Sequence, residues 1–174
     1  MIAMIVGTNR NDAVSLQIAN QYAAMLRDAG AQVDLIDLRA LPHDFLHSVL
    51  YGNEDKSDSF KELSDVMNRS EKLVFVIPEY NGSFPGVLKV FIDGLDRSKA
   101  LTDKKCTLVG ISAGDQGAGL ALSHFTDILN YCGTHVMGYR LRIPGIADKM
   151  TDNRLSNPTY LDKMQKQVNK FLAF

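Results

Sequence analysis

The sequence predicts an α/β fold in which a parallel sheet is covered by helices on both faces. Three short apolar runs, 1–6, 73–77 and 105–111, are typical of buried parallel strands. Segments with apolar residues at helical spacing lie between these runs. This alternation continues along the whole chain and indicates βαβ units joined by right-handed crossovers.

The elements follow one another in a regular order. The first strand, 1–6, precedes a helix over 15–29 that Gly30 ends, and residues 32–38 alternate like a strand nearer the sheet edge. The later elements are a helix over 60–67, a strand over 73–77, a helix from Pro85 or Gly86 to about Leu95, a strand over 105–111, a helix over 119–131, a short strand over 134–137 and a helix over 160–172.

Two predicted connections are long, 39–57 and 139–158, and loops of this length are usually functional or interfacial. The first contains more apolar side chains than a solvated loop would carry. We therefore expect a flap that packs beside the site or against a second subunit. Its apolar residues are Phe45, Leu46, Val49, Leu50 and Tyr51.

Composition limits the possible functions. The 174 residues suit one domain over 1–174, and hydrophobic and charged fractions of 45% and 22% are those of a globular protein in water. The net charge of −1 offers no attraction for nucleic acid or an anionic membrane. No run reaches the roughly 20 apolar residues of a membrane span, and the apolar N-terminus is too short for a signal peptide. Two cysteines outside any metal-binding pattern indicate no metal site and a cytoplasmic protein.

Three polar loops follow the first, third and fourth predicted strands, at 7–15, 78–86 and 112–119. In a doubly wound sheet these loops emerge at the same carboxyl edge, where such folds bind ligands. The second loop, with two prolines and two glycines, offers backbone groups, a carboxamide and a ring but no nucleophile–base pair. These groups favour holding a cofactor over attacking a substrate.

The first loop leads into a helix start, where free N–H groups favour an anion. Thr8 and Ser15 add neutral donors there, and Arg10 adds a charge suited to phosphate. The alternative is that Ser15 only caps the helix while Arg10 is a solvated surface residue. The third loop, taken alone, is equally well explained as an ordinary strand-to-helix turn.

These three loops together resemble the NADPH-dependent FMN reductase family. The resemblance rests on Gly7-Thr-Asn-Arg10 with Ser15, on Pro-Glu-Tyr-Asn-Gly-Ser-x-Pro-Gly-x-Leu-Lys at 78–89, and on Ser-Ala-Gly-x-x-Gly at 112–117. It runs in order from residue 1 to about 137. It implies a flavodoxin-like, five-stranded parallel sheet of order 2-1-3-4-5, bound FMN, and a homodimer or homotetramer.

The resemblance also assigns site residues. It implies phosphate contacts from Thr8, Arg10, Ser15 and Gln17, and a flavin-ring lining from Pro78, Glu79, Tyr80, Asn81, Gly82 and Ser83. The other side of the ring would be bordered by Ser112, Ala113, Gly114, Gln116 and Gly117. Two positions depart from the family pattern. Ala13 stands where a serine is frequent, so one phosphate hydroxyl is missing, and Val90 stands where an asparagine is common.

The implied function is an NAD(P)H-dependent reductase that passes electrons through FMN to a small acceptor such as a quinone, flavin, metal ion or azo compound. No catalytic side chain is expected, because the flavin supplies the chemistry. One alternative is an electron carrier like flavodoxin. Such carriers present a strongly charged docking face, which a net charge of −1 spread along the chain would not provide. A second alternative is a non-catalytic protein of the same fold.

Overall fold

The central sheet is built from the apolar runs of the sequence. A computed structural model describes residues 1–48 and 57–174. Four parallel strands pair in the order β2-β1-β3-β4, and β1 and β3 are buried along nearly their whole length. Their bounds are β1 Ile2–Val6, β2 Val33–Asp37, β3 Lys72–Pro78 and β4 Lys105–Ile111.

The fifth position of the sheet is occupied by two short strands in succession. Strand β5 (His135–Val136) pairs with the start of β4, and β6 (Leu141–Ile143) pairs with its end. The strand order β2-β1-β3-β4-β5 confirms the predicted fold class. The prediction of a plain connection over 139–158 is wrong, because this segment contains β6 and a small antiparallel hairpin of β7 (Met150–Thr151) and β8 (Arg154–Leu155).

Helices cover both faces of the sheet. On one face α1 (Val14–Asp28) packs beside α7 (Pro158–Ala173), with Tyr22 and Phe171 fully buried. The other face is covered by α3 to α6, whose buried rings include Phe91 and Phe125. These helices are α3 Asp58–Arg69, α4 Gly86–Gly94, α5 Arg97–Ala100 and α6 Gly119–Tyr131.

The predicted flap is only partly described. A 3₁₀ turn (Leu38–Ala40) and the short helix α2 (Phe45–Ser48) follow β2. Phe45 is buried against Phe60, with ring centroids 5.0 Å apart, whereas Leu46 is 55% exposed. This part of the chain therefore packs on the core beside α4. The predicted apolar residues Val49, Leu50 and Tyr51 lie outside the described residues.

Within the described parts of the chain, no helix is long and apolar enough to cross a membrane. The same residues contain no cluster of three or more potential metal-ligating side chains.

Candidate cofactor site

The three polar loops meet at the carboxyl edge of the sheet because β1, β3 and β4 are neighbours there. They enclose an open cavity of about 190 Å³. The first loop and α1 supply Thr8, Arg10, Ala13, Val14 and Ser15, the second loop Pro78, Glu79 and Tyr80, and the third strand end and its loop Ile111, Ser112 and Ala113, with Ile146 completing the wall.

A hydrogen bond ties the first loop to the second. Thr8 is buried, and its hydroxyl lies 2.9 Å from the Tyr80 hydroxyl. The same Thr8 oxygen accepts a bond from the Arg10 backbone N–H at 3.3 Å. Gly7, just before Thr8, lets the start of the loop pack closely on β3. A Cβ on that residue would lie only 2.9 Å from the Val76 carbonyl oxygen. The Thr8 hydroxyl therefore holds the first loop in place, and these two bonds already use much of its hydrogen-bonding capacity.

The start of α1 presents donors to the cavity. Its N-cap is Ala13, whose side chain makes no capping bond, so the alternative that Ser15 caps the helix is wrong. Within the described residues, the backbone N–H groups of Ala13, Val14 and Ser15 and the Ser15 hydroxyl have no hydrogen-bond partner. Ser15 is nevertheless only 1% exposed. No acidic residue lies in the first turn, and Arg10 lines the opening, so the helix start suits an anion.

The second loop is held by a tight turn. Tyr80 and Ser83 exchange two backbone bonds, of 2.7 and 3.0 Å, and both intervening residues have positive φ, 51° at Asn81 and 76° at Gly82. This is the pattern of a type I′ turn, which Asn-Gly favours. The Ser83 hydroxyl lies 3.0 Å from His124 Nδ1 on α6, which holds the turn toward that helix.

Only part of the predicted ring lining faces the cavity. Pro78, Glu79 and Tyr80 line it, whereas Asn81, Gly82 and Ser83 lie beyond it on the α6 side of the rim. Among the described residues, the backbone N–H groups of Asn81 and Gly82 have no partner. The turn therefore offers two free donors at the open edge of the site.

The third loop uses its polar groups internally. The Ser112 hydroxyl donates to the Gly114 carbonyl at 2.7 Å and accepts from the Gly117 N–H at 2.9 Å. A Cβ on Gly117, where φ is 58°, would lie 2.8 Å from the Arg142 Cβ. Gly117 thus permits packing against β6. Ser112 and Ala113 line the cavity, whereas Gly114, Gln116 and Gly117 do not.

Two further residues change the predicted site. Gln17 lies away from the cavity and donates to the Asn153 side chain at 3.3 Å, joining α1 to the β7–β8 hairpin. Ile146, which the sequence analysis did not select, lines the cavity because its N–H bonds the Ser112 carbonyl at 3.0 Å. The alternation of buried Leu141 and Ile143 before Pro-Gly could have indicated a strand leading to it.

A larger cavity of about 580 Å³ lies on the other side of the first loop. Its walls come from that loop, from the segment after β2 and from α4. Val90, which stands where the family commonly has an asparagine, lines this cavity from α4 and makes that part of the wall apolar. Lys89, beside it in the sequence, pairs with Asp93 at 2.7 Å within the same helix.

A parallel sheet with unpartnered donors at a helix start and backbone-rich loops at its carboxyl edge is typical of a flavodoxin-like cofactor-binding protein. The sequence model of the NADPH-dependent FMN reductase family matches residues 1–146. The chain therefore belongs to this family.

Individual relatives agree with that assignment. The chain is 31% identical over 137 residues to a 2-hydroxy-1,4-benzoquinone reductase of a Burkholderia species, covering 75% of this chain and 70% of the relative. It is 31% identical over 129 residues to a subunit of an NADH:(hydroxy)cinnamate reductase of Vibrio ruber, covering 72% and 60%.

Among solved structures, the flavoenzyme FerB of Paracoccus denitrificans, an NAD(P)H:(acceptor) oxidoreductase, superposes with a TM-score of 0.81 at 23% identity, over 99% of this chain and 94% of that one. This likeness confirms the fold. The family match and the quinone reductase relative confirm the predicted class, an NAD(P)H-dependent flavin reductase with FMN as cofactor.

Proposed function

We propose that this chain holds FMN at the three-loop cavity and passes electrons from NADPH or NADH to a small acceptor of the quinone type. The observation that carries the proposal is the start of α1. There a nearly inaccessible hydroxyl and three backbone N–H groups without protein partners face one cavity beside an arginine. Such donors match the phosphate of FMN.

The proposed phosphate contacts are Ser15, Arg10 and the free N–H groups of α1. Thr8 acts through Tyr80, because its oxygen already bonds that hydroxyl and the Arg10 N–H. Gln17 is too far round the helix to join them, and its amide bonds Asn153. The missing hydroxyl at Ala13 leaves the N–H groups of the first turn open to the phosphate.

The flat end of the cofactor is proposed to lie along the rim. A cavity of about 190 Å³ is below the roughly 300 Å³ at which pockets enclose a drug-sized ligand. It therefore holds the phosphate end, while Tyr80, Asn81 and Gly82 flank the exposed remainder. When bound, FMN supplies hydride acceptance from the nicotinamide and electron transfer to the acceptor. The free N–H groups of Asn81 and Gly82 would stabilise negative charge at that edge.

The acceptor is proposed to be a small aromatic oxidant. The relatives named for quinone and cinnamate reduction favour this class. The large cavity beside the first loop, with Leu38, Phe45 and Val90 in its walls, has the apolar lining that such a ring would need.

The remaining features are proposals of the same kind. We propose one FMN-binding domain over 1–174, in a homodimer or homotetramer. Exposed Leu46, Leu120 and Tyr131 offer apolar contact surface. The two free cysteines favour a cytoplasmic location. Light scattering of the purified protein would test the assembly, and a strictly monomeric mass would contradict it.

A spectral titration tests the function. The purified protein is loaded with FMN, separated from free flavin, and mixed with NADPH or NADH without oxygen. The expected result is retention of the yellow chromophore followed by bleaching, and return of colour when a benzoquinone is added. Riboflavin, which lacks the phosphate, is the matched ligand and should be retained less well. Failure to retain FMN would contradict the site, and retention without bleaching would favour a non-catalytic protein.

A further inference from the structure

The outer edge of the sheet carries a positive charge that the whole-chain value conceals. Residues 139–170 contain seven Lys and Arg against three Asp, a net charge of +4, whereas the chain as a whole has −1. The expectation that charge is spread evenly along the chain is therefore wrong. In residues 1–48 and 57–174, none of these seven cations forms an ion pair with a carboxylate. Their charge is thus open to an outside partner.

Six of the seven cations form one surface, which we call the cationic face. It consists of β6 with its flanking residues and of the outer side of α7, where three lysines at spacings of three and four residues share one side of the helix. The opposite side of α7 packs on the core through Met164, Val168 and Phe171. The six cations are Arg140, Arg142, Lys149, Lys163, Lys166 and Lys170.

Two tyrosine rings join these cations into a continuous surface. The Lys149 and Lys163 ammonium groups lie 5.3 and 4.7 Å from the centre of the Tyr160 ring. The other two lysines of the face both lie 6.0 Å from the centre of the Tyr139 ring. Both rings also line a cavity of about 280 Å³ whose wall includes the two arginines. Tyrosine and arginine are enriched where proteins bind one another, and the lysines add the charge that steers an encounter.

The cationic face adjoins the candidate cofactor cavity. The end of β6 holds the third loop, because the Ser112 N–H donates to the Ile143 carbonyl at 3.2 Å. Ala113 lines the cofactor cavity, and Asp115, two residues further on, lines the cavity of the cationic face. Their Cα atoms therefore lie within roughly 7 Å of each other. A molecule docked on the face is separated from the cofactor cavity by little more than this loop.

The composition of the face favours an acidic protein as its partner. Among the described residues, none of the large exposed apolar side chains lies on this face, so it has little to insert into a bilayer. The rest of the chain carries a net negative charge, which would repel a long polyanion such as nucleic acid. A positive patch of limited size is complementary to an acidic patch of similar size on another protein.

We infer that the cationic face docks an acidic one-electron redox protein, to which the reduced cofactor delivers its electrons. This inference rests on the proposed function, since it requires FMN in the adjacent cavity. Reduced FMN in its anionic form loses two electrons and one proton when it returns to the oxidised form. Two partner molecules that dock in turn each take one electron, and the proton passes to water. The redox protein and the small aromatic acceptor are then alternative oxidants of the same cofactor.

Electron transfer to plastocyanin tests the inference. Plastocyanin is an acidic blue-copper protein, and cytochrome c is a basic one-electron acceptor of opposite charge. The FMN-loaded protein is reduced with one equivalent of dithionite without oxygen, so the nicotinamide donor is not needed, and is mixed with oxidised plastocyanin. Loss of the blue Cu(II) absorbance gives a second-order rate constant. We expect this constant to rise about tenfold as the ionic strength falls from about 1 M to about 0.01 M, and that of cytochrome c not to rise.

Charge variants locate the docking surface. At about 0.01 M ionic strength, Lys166→Gln/Lys170→Gln should lower the plastocyanin rate constant about tenfold. The matched control is Lys61→Gln/Lys99→Gln, which removes the same charge from the opposite face of the sheet, where each lysine pairs with a nearby carboxylate at 3.4 or 3.3 Å. Its rate constant should stay within about twofold of the wild type. Asp162→Asn, one turn from Lys166, should raise the constant, and benzoquinone reduction should be unchanged in all three variants.

The outcomes separate this inference from the proposed function. A plastocyanin rate constant that does not depend on salt, an equal rise with cytochrome c, or no effect of Lys166→Gln/Lys170→Gln would overturn the inference and leave the reductase function intact. Binding to phosphatidylserine vesicles without any effect on plastocyanin would assign the face to a membrane and would also overturn it. Broadening of the nuclear magnetic resonance lines of labelled plastocyanin by the protein gives a docking measurement that needs no flavin. Failure of both nicotinamide donors to bleach bound FMN would instead refute the proposed function.

Discussion

The Ser15 hydroxyl gives the sharpest test of the phosphate site, because it is buried yet has no partner within the described residues. In Ser15→Ala, one hydrogen bond to a charged phosphate is lost, worth about 1.5–3 kcal/mol. The Kd for FMN should therefore rise about 10- to 150-fold. The Kd for riboflavin should stay unchanged, since that ligand lacks the phosphate. The free energy of unfolding of the apo-protein should not fall, because no hydrogen bond within the described residues is removed and alanine favours the helix.

Ser112→Ala is the matched control, since it removes a hydroxyl from the same cavity that does have partners. Its two bonds hold the third loop, so the apo-protein should lose about 1–3 kcal/mol of stability. Both flavins should then bind less well. Flavin fluorescence quenching gives the affinities, and urea unfolding gives the stabilities. Equal weakening of FMN and riboflavin in Ser15→Ala, or a loss of apo-stability above about 1 kcal/mol, would refute the phosphate assignment.

Three other substitutions test separate parts of the argument. Ala13→Ser should stabilise the apo-protein by about 1 kcal/mol in urea unfolding by capping α1, and an unchanged midpoint would contradict the open cap. Arg10→Ala should weaken FMN binding more at about 0.1 M than at about 1 M salt, as expected for an exposed charge, and a salt-independent loss would point to a packing role. Tyr22→Phe should raise stability by about 1 kcal/mol, because the buried Tyr22 hydroxyl has no partner among the described residues. Burial, with a smaller contribution from Cys106, raises the pKa of Tyr22 well above its ordinary 10.0, so the folded wild type keeps a proton that the unfolded chain loses. The free energy of unfolding of the wild type should therefore fall as the pH rises above about 10, and that of Tyr22→Phe should fall less steeply. Identical slopes of stability against pH in the two proteins would contradict this.

The sequence was sufficient for the regular parts of the fold. The bounds of β4 and α6 agree with the predicted 105–111 and 119–131, because polar or glycine-rich segments border an apolar run and a periodic one. The start of α3 lies two residues before its prediction, since Ser57 caps the helix by accepting the Phe60 N–H. Ser57 lies three residues before Phe60, the first apolar residue of the pattern. Periodicity alone therefore placed the start too late.

The divided fifth strand could not be predicted in the same way. Strand β6 has three residues, and only its pairing with the end of β4 distinguishes it from a loop. Its consequence for function is large, because the Ile143 carbonyl and the Ile146 N–H bond the backbone of Ser112 and hold the third loop. Long-range pairing of this kind leaves only a weak signal in a single sequence.

The candidate site was predicted as a set of loops more accurately than as a set of contacts. Helix geometry alone would have placed Gln17 and Ser15 on different sides of α1, since an advance of two residues rotates the side-chain direction by about 200° round the helix axis. By contrast, the roles of Thr8 and Ser112 depend on which partner each hydroxyl finds, and both bond protein groups. Residue type identified possible ligand donors, and the structure distinguishes the donors that remain free from those already used.

The third loop has a different physical role from the one that its glycines suggest. Its close approaches are to protein, since a Cβ on Gly110 would lie 2.5 Å from the Gly117 carbonyl and one on Gly117 would meet β6. Together with the two Ser112 bonds, this packing holds the loop against β6 and keeps Ser112 and Ala113 at the wall of the candidate cofactor cavity. A wall that is already in place lowers the entropy lost when a ligand binds in that cavity.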